Sequence, residues 1–194
     1  MITGDTRVLD DTVDFSVMGI AFSTKPTVMG GLAMEYYGLR KRGADIDMLI
    51  SNEDYLAFAQ AFPQSKIDRW GDLGLSIGPY ELFRSVFRLD CGFYSQGAFE
   101  HTKCKVLSFE KLLFMKTLAA WNQPEIPKHV EDLKLVMEYY LCKYQNMTYV
   151  ENAAKHTASY LAAQDGTIYN DMYFTCGIAN PKALFRRISD PKAK

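Results

Sequence analysis

The chain has 194 residues, 48% of them hydrophobic and 13% aromatic, which is enough to bury a sizeable core and argues against a disordered chain. Its net charge is -1 and its pI about 6.3, so it lacks the whole-chain basic field that grips nucleic acid, although a local basic patch is compatible with these values. The four cysteines, Cys91, Cys104, Cys142 and Cys176, include no CxxC pair and histidine is scarce; this predicts free thiols in a reducing compartment rather than a zinc site. The N-terminus has no basic start followed by an apolar run, and no apolar stretch reaches the length of a membrane span. A cytoplasmic protein without membrane contact is the expectation.

Residues 1–24 show no clear period. Thr27-Val28-Met29 is a short apolar segment that ends at Gly30-Gly31 and runs into LAMEYYGL, which reads as a helix. Gly38 and the basic cluster Arg40-Lys41-Arg42-Gly43 stop that helix, because glycine suits the position just past a helix end and cations suit its last turn. Residues 44–51 read as a strand, with Ala44, Ile46, Met48 and Ile50 on one face and Asp45, Asp47, Leu49 and Ser51 on the other. Asn52 can cap the helix EDYLAFAQAF, which stops near Pro63. Two further strands are expected at 74–77 and 82–90. From Ser108 the period becomes helical: FEKLLFMKTLAAW, then a loop NQPEIP, then a helix opened by Pro127 with Val130, Leu133, Val136, Met137, Tyr140 and Leu141 on one face. Residues 148–163 read as another amphipathic helix, and KALFRRI as a short one. The order predicts an α/β palm over 1–106 with a mixed sheet flanked by helices, followed by a mainly helical lobe over 107–194.

The stretch VMGGLAMEYYGLRKRGADIDMLIS carries the chemistry. Asp45 and Asp47 are two apart on a strand, so both carboxylates share a face. Two like charges there call for a counter-charge, and a hard divalent cation binds carboxylate oxygen. Gly30-Gly31 stands between a strand and a helix, where glycine lets backbone N–H groups approach a phosphate and the helix N-terminus is electropositive. A phosphate cradle beside a metal-binding carboxylate pair is what phosphoryl or nucleotidyl transfer requires.

A GG or GS pair opening a helix, followed by an Asp-x-Asp strand, resembles the motif of the polymerase β nucleotidyltransferase superfamily. The segment is similar to the GG-x-A…R-x-T-x-DIDL pattern of the bacterial branch that includes AbiEii-type toxins and related proteins. Downstream, KVLSFEKLLFMKTLAAWNQPEIPKHVEDLKLV resembles that branch's helical segment, in which a Ser-led helix carries a lysine and is followed by an Asp-containing helix. The resemblance spans roughly residues 25–140. It implies that Gly30 and Gly31 bind phosphate and that Asp45 and Asp47 hold Mg²⁺ or Mn²⁺. Asp90, at the end of the 82–90 strand, best fits the third carboxylate, and Lys116 matches the lysine that approaches the triphosphate. The family's Arg and Thr before the Asp pair are Lys41 and Gly43 here, with Lys41 expected at the nucleotide, and Gly31 replaces a serine hydroxyl.

Two functions follow. One is an enzyme that moves an NMP from an NTP to an acceptor hydroxyl on an RNA end, a protein or a small molecule. The other is a non-catalytic interaction protein on the same palm, suggested by the departures at Gly31, Lys41 and Gly43. The intact Asp45–Asp47 pair favours the enzyme.

Overall fold

Runs of alternating apolar residues, broken by glycine and proline turns, give this chain its sheet. The computed structural model describes residues 4–69 and 71–144. In chain order the elements are α1 (Arg7–Thr12), a 3-10 turn (Phe15–Met18), β1 (Thr27–Val28), α2 (Gly30–Tyr36), β2 (Ile46–Leu49) and α3 (Asn52–Ala61). They continue with β3 (Lys66–Arg69), β4 (Asp72–Ile77), β5 (Tyr80–Phe83), β6 (Ser85–Val86), β7 (Leu89–Asp90), α4 (Cys91–Ser95), β8 (Phe99–Glu100) and β9 (Lys105–Val106). Two longer helices follow, α5 (Phe109–Asn122) and α6 (Pro127–Tyr144). The helices expected at 148–163 and over KALFRRI lie outside the described residues, as does Cys176. The chain divides into two compact units, Met1–Phe109 and Glu110–Lys194.

The first unit is built on a seven-stranded sheet of order β3-β4-β5-β2-β1-β9-β8, with β6 and β7 forming a separate two-stranded sheet. β2 pairs antiparallel with β1 and parallel with β5, so the sheet is mixed, and the α/β architecture expected from the sequence is the one adopted. Val28, Ile46, Met48, Leu75, Tyr80 and Leu82 are all buried, and all lie on one face by register. Phe15, Phe22 and Phe58 join Tyr80 in an aromatic cluster whose rings are 4.8 to 5.6 Å apart. Tyr80 does not leave its hydroxyl stranded in that cluster: it accepts from Asp14 N–H at 2.9 Å and donates to the Asp14 carbonyl at 2.7 Å.

α3 starts one residue earlier than the sequence suggests. Ser51, not Asn52, is the cap, its hydroxyl accepting from Asp54 N–H at 3.0 Å. Asp54 in turn takes Ser51 Oγ–H at 2.8 Å and Ser23 N–H at 2.6 Å, which ties the chain ahead of β1 onto α3.

The expected strand 82–90 is a correction. β5 ends at Phe83, and the chain turns back as the β6–β7 hairpin because Phe87 (φ +51°) and Arg88 (φ +62°) both adopt the left-handed conformation. Two successive left-handed residues are what a tight hairpin turn needs and what side chains ordinarily resist. Here Asp72 supports them: its buried carboxylate accepts from Phe87 N–H at 2.6 Å, Arg88 N–H at 2.9 Å and Ser85 Oγ–H at 2.8 Å.

In the second unit α5 carries the buried Leu112, Leu113, Phe114 and Leu118, and α6 the buried Leu133 and Val136. Lys116 and Asp132 join the two helices by a buried ion pair of 2.6 Å. Among the described residues no helix is long and apolar enough to cross a membrane. Cys91 and Cys104 are free thiols, and burial pushes Cys104 up to about 11.

Candidate active site

β1 and β2 lie side by side, with Val28 opposite Met48 and Met29 N–H donating to the Asp47 carbonyl at 3.0 Å. That pairing delivers Gly30, the first residue of α2, to the side chain of Asp47. Gly30 has φ +58°, and a Cβ built on it would overlap the Asp47 carboxylate. Glycine is required there twice over, by conformation and by space. Gly31 differs: the nearest atoms to its would-be Cβ, Arg42 Cα and Gly43 N, are at an ordinary 3.5 Å. Gly43 borders the other aspartate, since a Cβ there would stand 2.9 Å from Asp45 Oδ1. A chain of close neighbours thus runs from Asp47 to Gly30, and from Gly31 through Arg42 and Gly43 to Asp45.

Asp47 lies within β2 and is half-buried, whereas Asp45 precedes the strand and is exposed. α2 has only seven residues, so its dipole is small, but the first-turn N–H groups of any helix lack intrahelical acceptors and remain suited to a phosphate.

The expected third carboxylate is not on this sheet. Asp90 ends the β6–β7 hairpin and is the cap of α4, its Oδ1 accepting from Phe93 N–H at 2.9 Å. The acidic residue beside Asp47 is Glu81, its register partner on the parallel neighbour β5. Residues in register share a face, about 4.8 Å apart. Glu81 is half-buried and pairs with Arg69 of β3 at 3.2 Å. Sequence reading missed it because a single glutamate in YELF is an ordinary strand residue. The available signal was a charged residue alternating with apolar neighbours right after the Gly78-Pro79 turn.

Lys41 is on the loop between α2 and β2. Its ammonium pairs with Glu35 of α2 at 2.8 Å, and this contact holds the Glu35 carboxyl below the usual range. Lys116, expected at the nucleotide, belongs to the second unit and spends its ammonium on Asp132.

Among the described residues no three His, Cys, Asp or Glu side chains converge to hold a metal by themselves. The pair Asp45 and Asp47 still fits a hard cation shared with a ligand, because Mg²⁺ is commonly held by one or two carboxylates, substrate phosphates and water.

The fold is a mixed α/β one in which a glycine-opened helix abuts the strand that carries Asp47. No family model matches the sequence, and no curated protein matches it. The chain is similar to an antigenic nucleotidyltransferase-like protein from Paracoccidioides brasiliensis, known from its crystal structure, at 16% identity and a TM-score of 0.34, over 78% of this chain and 89% of that one.

Proposed function

We propose that this chain is a metal-dependent nucleotidyltransferase that moves an NMP from an NTP to an acceptor hydroxyl. The observation that carries the reading is the contact between Gly30, in a conformation only glycine tolerates well, and the Asp47 carboxylate. Asp45 and Asp47 would hold Mg²⁺ or Mn²⁺ together with the triphosphate. The first-turn N–H groups of α2 would donate to phosphate oxygens. Glu81, in register with Asp47 and paired with Arg69, would serve in the role first expected of Asp90 and accept the proton of the acceptor hydroxyl. That oxygen attacks the α-phosphorus in line, the bond to the bridging oxygen breaks, and pyrophosphate leaves. A bound divalent ion would neutralise charge on the phosphoryl oxygens. Catalysis then comes mainly from alignment and charge compensation. The acceptor is an RNA end, a protein or a small molecule.

The test is incubation with each α-labelled NTP, Mg²⁺ or Mn²⁺ and cell extract, followed by nuclease or protease digestion of any labelled product. Label should appear in one acceptor class and vanish in the Asp45→Asn, Asp47→Asn double variant. Glu81→Gln should lower transfer at least about 100-fold, the scale seen when a group that acts in the transition state is removed, with stability nearly unchanged because an ion pair whose arginine is solvent-exposed contributes little. Label transfer that survives in the double variant would overturn the reading. Metal binding without any labelled product would favour the non-catalytic alternative.

A further inference from the structure

The Glu35 carboxylate fastens the loop that carries Asp45 to the helix opened by Gly30-Gly31. Glu35 lies in α2, and its side chain is only 14% exposed. One carboxylate oxygen, Oε1, accepts from Lys41 Nζ at 2.8 Å, and the other, Oε2, accepts from the backbone N–H of Arg42 at 3.2 Å. From Arg42 the path to the site is short. Arg42 Cα and Gly43 N stand against Gly31, and Gly43 stands against Asp45 Oδ1. Gly38, at φ +72°, turns the chain out of α2 so that residues 41 and 42 come back alongside Glu35. Asp45 lies outside the hydrogen-bonded part of β2, which begins at Ile46. The ladder that fixes Asp47 therefore does less to fix Asp45.

We propose that Glu35 is a positioning residue for Asp45, holding the 41–43 loop against α2 so that the Asp45 and Asp47 carboxylates stay within reach of one cation. The inference rests on the reading of Asp45 and Asp47 as a divalent-cation site. Glu35 does not touch the ion. It acts through the Arg42 amide, as the outer partners of metal ligands do elsewhere. Its two oxygens hold two residues of one loop: Oε2 takes the Arg42 N–H on the backbone that leads to Asp45, and Oε1 takes the Lys41 ammonium.

Free Mn²⁺, measured by its electron paramagnetic resonance signal during titration of the full chain with a non-hydrolysable NTP analogue, tests this directly. Glu35→Ala keeps a good helix former in α2. It should weaken Mn²⁺ affinity about 10- to 100-fold, the usual cost of losing an outer partner of a metal ligand, with the melting temperature near that of the unaltered chain. Glu35→Asp keeps the charge but falls one methylene short of Arg42, and should lose affinity as well. Glu35→Gln keeps an oxygen for the Arg42 N–H and should recover most of the affinity. If Glu35→Ala does not fold, Glu35→Asp decides the matter. Unchanged Mn²⁺ affinity in the folded alanine or aspartate variant overturns the positioning role while leaving the site intact. Mn²⁺ binding that is also unchanged in the Asp45→Asn, Asp47→Asn variant overturns the site itself, and the role of Glu35 with it.

Discussion

Replacing Gly30 with alanine asks the most of the described geometry. Gly30 sits at φ +58°, where a residue with a Cβ carries roughly 1–2 kcal/mol of strain. Its new methyl would also enter the space of the Asp47 carboxylate, so that side chain must turn away or the α2 N-terminus must move. For a chain of this size each kcal/mol shifts the melting temperature by about 2–4 °C, so a fall of about 2–8 °C is expected from the strain alone. Gly31→Ala is the internal control. Its neighbours at 3.5 Å leave room for a methyl, and alanine in a helix is favoured over glycine by roughly 0.5–1 kcal/mol, so this variant should match or exceed the parent in stability. Thermal melts of both variants, with and without Mn²⁺ and an NTP analogue, provide the assay. Gly30→Ala should melt lower and lose the ligand-induced rise, and Gly31→Ala should keep its stability. If Gly30→Ala melts with the parent, or Gly31→Ala is the more damaged of the two, the contact between Gly30 and Asp47 is not as described.

Other substitutions separate structural from chemical roles. Asp90→Ala removes the cap of α4 and should cost about 0.5–2 kcal/mol in denaturant titration while leaving Mn²⁺ binding unchanged; lost metal binding at full stability would return Asp90 to the site. Lys116→Met leaves Asp132 buried without this ammonium partner and should destabilise by roughly 3–5 kcal/mol, most of it recovered in a double variant with Asp132→Leu. A Lys116→Met protein of full stability would refute the structural role of that pair. Burial acts to raise the pKa of Asp54, but hydrogen bonds from Ser23, Ser51 and Thr24 outweigh it and hold the group below 3.8. A depressed folded pKa means the stabilisation is complete above the unfolded value and is lost as pH falls through the folded one. Asp54→Asn should therefore flatten the loss of stability below about pH 4, and an unaltered acid limb would show that Asp54 does not contribute to it.

The core of the site was legible because it is local in sequence. Seventeen positions separate Gly30 from Asp47, and the intervening helix and turn announce themselves through Gly38, the basic cluster and the alternation in ADIDMLIS. Strand alternation alone places Asp47 opposite the buried face of Ile46 and Met48. Even here the fit had limits: Leu49, on the Asp47 side, is buried too, because a sheet covered on both faces does not expose every second residue.

What depends on strand order was not legible. Glu81 stands beside Asp47 only because β5, and not β3, the next strand in sequence, takes the edge of β2 opposite β1. Asp90 left the sheet because Asp72, on β4, supports two left-handed residues that local propensity would have kept extended. β3, β8 and β9, which are four, two and two residues long, are too short to show a period, and ladder partners distant in sequence define them. Lys116 had a role by resemblance until α6 brought Asp132 to it. Sequence determined which segments carry glycine, carboxylate and apolar alternation, since those follow from side-chain chemistry and spacing over a few residues. Only the tertiary structure decided which carboxylates meet and which cations are already neutralised, since hydrogen-bonded register and desolvation are set between segments that the chain itself holds far apart.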